Sequence, residues 1–245
     1  MISFIVPAHN EELELPATLD AIHDAVTDAG PYEIIVVDDA STDATSEIAS
    51  RVSAQVIQID RRQIAAARNT GAKAARGEYL FFVDADTRIN RTHVVEGIAA
   101  LKLGYAGGGA RVAFDGSVPM WGRVLLVAFG ALYFGLNLGA GAFLFTTRRN
   151  FDAIGGFDEQ YFAGEEVYFS LALRKIGRFK VMRERVVTSG RKLRMYPAKQ
   201  FLRNFFGVIA RGPTGVRSRE KLCLWYDGKR EKQLLAKVID STRPD

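Results

Sequence analysis

Tyr79-Leu80-Phe81-Phe82-Val83-Asp84-Ala85-Asp86 is an apolar run of five residues that breaks into two carboxylates. A short continuous apolar run behind a glycine reads as a buried strand. Strand alternation puts Asp84 and Asp86 on the same side, where they converge on one point. Oxygen-only donors of this kind suit a hard cation such as Mg²⁺ or Mn²⁺, shared with the phosphates of a substrate. An acidic turn that merely caps a strand has the same spelling, so the pair is weighed against the rest of the chain.

Upstream, strand and helix signals alternate. Ile2–Val6 is a short apolar strand followed by the turn Pro7-Ala8-His9-Asn10. Leu13–Ala29 carries Leu15, Leu19, Ile22 and Val26 at helical spacing. Glu33–Asp38 predicts a second strand, and Thr42 or Asp43 is placed to cap a helix running to Ser53. Ala54–Ile59 predicts a third strand, Gln63–Ala75 an alanine-rich helix ended by Gly77, and Glu78–Val83 the fourth strand. Apolar strands separated by helices imply an α/β fold, a Rossmann-like, mostly parallel sheet with helices on both faces. Such sheets bind ligands outside the carboxyl ends of their strands. Asn10, Asp38, Asp39, Asp84 and Asp86 all fall at those ends.

Downstream come a helix near Thr92–Leu103, a Gly107-Gly108-Gly109 turn and a strand at Ala110–Phe114. Val124–Phe145 holds 22 residues without a charge, long enough to span a membrane. A single span would put Asp84 and Asp86 on the opposite side from the acidic Glu165-Glu166 pair, and Gly135, Asn137, Gly139 and Gly141 interrupt the run. A helix near Met120–Leu136 and a strand near Gly141–Thr147 fit better. Glu165–Ile176 predicts a helix that Gly177 ends in the left-handed conformation.

The net charge of +5 conceals an asymmetry: residues 1–173 hold 13 Lys and Arg against 22 Asp and Glu, whereas residues 174–245 hold 20 against 6. An acidic first part and a basic tail imply two electrostatic tasks, the second involving an anionic surface. The one cysteine, Cys223, excludes an internal disulfide framework and a thiolate metal cluster, which fits a reducing cytosol. Met1 leads straight into a strand with no basic leader, so no signal peptide is expected. His9, His23 and His93 all lie near the amino terminus, which leaves no plausible Ser-His-Asp or Cys-His set.

Five segments in order resemble the family 2 nucleotide-sugar glycosyltransferases of the GT-A fold. They are Val6-Pro7-Ala8-His9-Asn10-Glu11-Glu12, Val36-Val37-Asp38-Asp39-Ala40-Ser41-Thr42-Asp43, Ala67-Arg68-Asn69-Thr70-Gly71, Asp84-Ala85-Asp86, and Gly155-Gly156-Phe157-Asp158 with Gly164-Glu165-Glu166. The resemblance covers residues 2–190 and implies a metal-dependent, inverting transfer of a sugar from a nucleoside-diphosphate sugar, a UDP-sugar above others, to an acceptor hydroxyl. It implies that Pro7, Ala8, Asn10 and Glu11 line the nucleotide pocket, that Asp39 accepts the uracil N3–H, and that Asp38 supports its loop. Arg68 is implied to lie near the base and diphosphate; a structural salt bridge to Asp38 or Asp39 is the alternative. Asp84 and Ala85 are implied to face the ribose or donor sugar, and Asp86 to be the direct ligand of Mn²⁺ or Mg²⁺. Glu166 stands where the family usually has the catalytic aspartate, which makes it the expected general base, with Glu165 as the second candidate. Tyr168 departs from an aspartate common in the family. Arg191, after Val187-Thr188-Ser189-Gly190, is expected to reach the donor phosphates or an anionic acceptor.

The expected organisation is a GT-A domain over residues 1–190, with a nucleotide-binding half at 1–103 and an acceptor half at 104–190, and a basic extension at 191–245. From Arg174 to Lys221 there are 15 Lys and Arg against Glu184 and Glu220, with Phe201, Leu202, Phe205, Phe206, Val208 and Ile209 interleaved. That pattern fits an interfacial amphipathic helix on an anionic membrane, peripheral at its inner face, and a lipid-linked or cell-envelope acceptor would explain it. Nucleic acid is the competing partner, but no nucleic-acid motif supports it. A non-catalytic nucleotide-binding protein and a membrane-surface module are the alternatives to an enzyme.

Overall fold

The computed structural model describes residues 1–27, 29–116 and 119–200, and beyond them 202, 203, 207, 215–217 and 222. The chain runs β1 (Ile2–Ala8), α1 (Leu15–Ala25), β2 (Tyr32–Asp39), α2 (Thr45–Arg51), β3 (Gln55–Ile59), α3 (Ile64–Ala74), β4 (Tyr79–Val83) and β5 (Thr87–Arg88). It continues through α4 (Arg91–Lys102), β6 (Tyr105–Phe114), α5 (Met120–Gly135), β7 (Phe143–Thr147), α6 (Arg148–Ile154), α7 (Glu165–Ile176), β8 (Arg178–Thr188) and α8 (Arg191–Met195). The strands form one eight-stranded sheet in the order β3-β2-β1-β4-β7-β6-β8-β5.

The amino-terminal strands β3, β2, β1 and β4 are mutually parallel, and one row across them reads Ile35, Ile5, Phe82. β7 then runs antiparallel to both β4 and β6. Alternation divides the core into two layers. Phe4, Val6, Val36, Phe81 and Val83 face α1 and α4 through Leu15, Leu19, Ile22, Val94 and Leu101. Ile5, Ile35, Val37, Leu80 and Phe82 face α3 and α7 through Ala65, Ala72, Phe169 and Leu173. β1, β4 and β7 are buried along almost their whole length, as central strands of a sheet covered on both sides require.

Four local expectations are corrected. Gly107, Gly108 and Gly109 lie within β6 rather than in a turn before it. A Cβ on Gly108 would collide with the Phe145 ring and the Lys180 carbonyl, so the run marks close strand packing. Gly177 is extended, with φ 174°; left-handed glycines flank the neighbouring helices instead, Gly155 after α6 and Gly164 before α7. α1 begins at Leu15, with Pro16 in its first turn. α2 begins after Ala44, with Asp43 accepting from the Thr45 N–H at 3.1 Å.

α5 followed by β7 matches the helix-then-strand reading of the uncharged stretch, and no helix among the described residues is long and apolar enough to cross a membrane. The interfacial helix expected over 199–211 lies mostly outside the described residues. α8 continues the fold past residue 190, with Arg191 and Leu193 buried.

α3 packs on the sheet through Gly71, where an added Cβ would lie 3.0 Å from Val37 Cγ2 and closer still to Ile5. Alanine recovers about 1 kcal/mol of helix propensity, but overpacking a tight contact costs about 1–3 kcal/mol. Gly71→Ala is therefore expected to lower the thermal melting temperature. A higher melting temperature would mean that α3 shifts freely on the sheet.

Candidate active site

Parallel pairing brings the ends of β1, β2 and β4 to one edge, and the loops that follow are sewn together there. The Asn10 N–H donates to Ser41 Oγ at 2.9 Å, and Asn10 Oδ1 accepts from the Thr42 N–H at 2.7 Å. The Glu11 N–H donates to Thr45 Oγ1 at 2.8 Å. Asn10, at φ 54°, therefore joins the first two loops, while Pro7, Ala8 and Glu11 face the cavity. This is a different job from the pocket-lining role expected of Asn10.

Asp38 accepts from the Ser41 N–H at 3.0 Å and from the Ser46 hydroxyl. Asp39 takes three backbone donors at 2.7 Å each: the Arg61 and Arg62 N–H groups on Oδ1 and the Gln63 N–H on Oδ2. It thus shapes the entry to α3. A carboxylate has roughly four acceptor sites, so Asp39 keeps capacity for one more donor from the cavity it lines.

Arg68 is 1% exposed and projects from α3 beneath the site. It donates to Glu165 Oε1 at 2.6 Å, to Asp84 Oδ1 at 2.7 Å and to the Gly141 carbonyl at 2.9 Å. Its guanidinium also lies 5.2 Å from the centroid of Phe157. The alternative partners Asp38 and Asp39 are not the ones it takes. Next to it, Asn69 accepts from the Phe157 N–H at 2.9 Å and donates to the Phe157 carbonyl at 2.8 Å, joining α3 to the turn before α7.

Glu11 and Arg191 form a buried bidentate pair at 2.7 and 2.5 Å. Arg191 Nη2 also stands 3.2 Å from Asp86 Oδ2, and Thr188 donates to Asp86 Oδ1 at 3.2 Å. Sequence reasoning singled out Glu11, Asp86 and Arg191 separately without seeing that they touch. It missed Gln63, whose N–H holds Asp39, and Thr188. Neither residue carries a local signal beyond its place beside a recognised segment.

These groups line a cavity of about 530 Å³, the size of a small-ligand site. Its wall carries six carboxylates against four Arg and Lys side chains. Burial pushes the Asp84 carboxyl up to about 6, against the pull of Arg68. Burial, reinforced by the neighbouring Glu165, pushes Glu166 up to about 8. No group of three Asp, Glu, His or Cys side chains converges as a metal cage among the described residues. Asp84 and Asp86 nonetheless present oxygen-only donors on one wall with an excess of negative charge around them. That donor set fits Mg²⁺ or Mn²⁺ completed by substrate phosphates and water.

The sequence model for "Glycosyl transferase family 2" matches residues 3–157. Glycosyltransferase AglE of Haloferax volcanii is 30% identical over 106 residues, 41% of this chain and 35% of that protein. The poly(ribitol-phosphate) beta-N-acetylglucosaminyltransferase TarS of Staphylococcus aureus is 33% identical over 95 residues, 36% of this chain and 17% of its own. The chain thus spans about a third or less of the length of these curated relatives. Among solved structures, S. aureus TarS in complex with UDP-GlcNAc superposes with a TM-score of 0.60 at 21% identity, covering 78% of this chain and 58% of that one. The mannosyltransferase PcManGT of Pyrobaculum calidifontis, in complex with GDP-Man and Mn2+, gives 0.64 at 18% identity, covering 84% and 59%. These likenesses fix the architecture as GT-A, and the sequence match over residues 3–157 fixes the lineage: this chain belongs to glycosyl transferase family 2.

Proposed function

We propose that the protein transfers a sugar from a nucleoside-diphosphate sugar, UDP-linked, to an acceptor hydroxyl with inversion at the anomeric carbon. The observation that carries this reading is the convergence of Asp84, Asp86, Arg191 and Glu166 on one cavity, from three separate segments of the chain. The UDP assignment rests on Asp39, whose remaining acceptor capacity suits the uracil N3–H, lying between two carbonyls. Glu11 holds Arg191 against Asp86, which puts a fixed positive charge beside the place for the diphosphate. A divalent cation held by Asp86 and Asp84 would act there as a Lewis acid that neutralises the departing diphosphate.

Glu165 is engaged by Arg68, which leaves Glu166 as the base. The acceptor hydroxyl gives its proton to the Glu166 carboxylate as its oxygen bonds to the anomeric carbon. The bond from that carbon to the diphosphate oxygen breaks on the opposite face, and its electron pair leaves with the diphosphate. One displacement without an enzyme nucleophile inverts the centre. The acceptor is read as a hydroxyl of a cell-envelope glycan; the relative TarS is a poly(ribitol-phosphate) beta-N-acetylglucosaminyltransferase, which supports a polymeric, anionic acceptor. The basic segment that starts at Arg191 is read as its contact with an anionic acceptor or membrane surface.

Two measurements test this reading. Asp86→Ala is expected to lose donor hydrolysis and transfer by about 100-fold or more, since Lewis-acid assistance is worth several kcal/mol. It should also abolish the rise in melting temperature produced by UDP with Mn²⁺. Unchanged turnover would sink the metal assignment. Because Glu166 must be ionised to act and its carboxyl sits at about 8, kcat/KM is expected to climb about tenfold per pH unit below that value and to level off above it. Glu166→Gln should cut the rate by about 10²–10⁴-fold and flatten the profile. A surviving climb in that variant would assign the base elsewhere.

A further inference from the structure

Asp115 follows Phe114 at the end of β6 and is not part of the cavity wall, yet contacts from both sides of the donor site meet on it. Its N–H donates to the Thr188 carbonyl at 2.9 Å. Its Oδ1 accepts from the Gly190 N–H at 2.9 Å, and its carbonyl accepts from Arg194 Nη1 at 2.9 Å. Its Oδ2 accepts from Arg88 Nη2 at 3.0 Å. β8 lies between β6 and β5 in the sheet, so the Asp115–Arg88 contact passes the end of β8 and joins the strands on either side of it.

Both segments held in this way lead directly to the donor side of the cavity. Arg88 is two residues past Asp86, and Gly190 immediately precedes Arg191. Residues 188–191 make contacts on two sides. Thr188 Oγ1 donates to Asp86 Oδ1 at 3.2 Å and Arg191 Nη2 stands 3.2 Å from Asp86 Oδ2, while Gly190 between them bonds to Asp115 behind. Gly190 is pressed onto this brace so closely that an added Cβ would lie 2.8 Å from the Asp115 carbonyl oxygen. α8, which starts at Arg191, is five residues long, too short a helix to hold its own place. Bidentate pairing requires the guanidinium plane to match the carboxylate. Arg191 makes such a pair with Glu11 and still reaches Asp86, at the end of a side chain whose rotamer freedom has to be suppressed. The backbone from which it projects must therefore be fixed from outside the cavity, and Asp115 supplies that fixture.

We propose that Asp115 is the positioning residue of the donor-phosphate arginine: by tying the turn at Gly190 to the strand that follows Asp86, it sets the spacing between Arg191 and Asp86 before a diphosphate arrives. This rests on the reading of Arg191 as the charge beside the diphosphate. Asp115 touches neither the substrate nor its metal; it acts through the backbone of Gly190 and the side chains of Arg88 and Arg194.

Arginine side-chain NMR on ¹⁵N-labelled protein without nucleotide tests the brace, with the Arg191 signals identified by their loss in Arg191→Ala. A guanidinium held on two carboxylates rotates slowly about its C–N bonds and shows separate Nη signals. Asp115→Ala, checked for an intact fold by its melting curve, is expected to merge them. Gly190→Ala, which drives a Cβ against the Asp115 carbonyl, breaks the same junction from the turn and serves where Asp115→Ala does not fold. Unchanged Arg191 signals in the folded variant overturn the proposal. The consequence is read by binding of UDP with Mn²⁺ and, separately, of uridine, which has the base and ribose but no phosphate. UDP is expected to bind about tenfold more weakly to the variant, and uridine as tightly as before. In an Arg191→Ala background, Asp115→Ala should add nothing further. Equal weakening of uridine and UDP, or a full effect in the absence of Arg191, overturns the positioning role. Merged Arg191 signals with UDP affinity unmoved uphold the brace and remove Arg191 from the diphosphate. Absence of UDP binding by the unaltered protein counts against the proposed donor, and the NMR result still decides the brace.

Discussion

The buried guanidinium of Arg68 holds the site together. It bridges α3, the end of β4, the approach to β7 and the start of α7. An uncompensated charge in that position would cost several kcal/mol, and the two carboxylates it meets would each be as unfavourable alone. None of the three is tolerable without the others, so the donor-side aspartate and the acid pair on α7 are forced into one arrangement. The hydrogen bonds of Asn69 to Phe157 run parallel to this contact and fix the distance between the same elements. The half of the chain that carries Asp84 and the half that carries Glu165 and Glu166 are therefore set by packing around one helix rather than by loop flexibility.

The second organising constraint is the change in strand direction at β7. Parallel strands up to β4 bring three loops to one edge, whereas β7 enters antiparallel beside β4 and carries Ala140, Gly141 and Ala142 into the same cavity. Small residues there leave room for the Arg68 and Glu166 side chains: a Cβ on Gly141 would lie 3.3 Å from Arg68 Nη2 and 3.6 Å from Glu166 Cδ. Gly141, one of the glycines that interrupt the apolar stretch, is thus part of the site wall.

The parallel strands were legible in the sequence because a strand covered on both faces spells itself as an unbroken apolar run. The acids at the strand ends were legible for the complementary reason, since carboxylates that abruptly end several apolar runs fall together on one edge of a parallel sheet. Partnerships were harder to read. Arg68 looked equally suited to Asp38 or Asp39, and took Asp84, 16 residues away, and Glu165, 97 residues away, because only the fold decides which carboxylates its guanidinium reaches. Gly107-Gly108-Gly109 has the local chemistry of a turn, and only the Phe145 ring and the Lys180 backbone reveal why a strand needs it.

Glu11 and Arg191 lie 180 residues apart and yet form one buried pair. A ribosome releases the first of them early and the second only after β8 has been made. The first four strands can be complete by residue 83, but the loop after β1 waits for its counter-ion until nearly all of the described chain has emerged. The Glu11 carboxylate would meanwhile remain in water, where its charge is tolerated, and the nucleotide edge would stay open. A nascent chain of this topology therefore carries the loop after β1 without its counter-ion until β8 has been made.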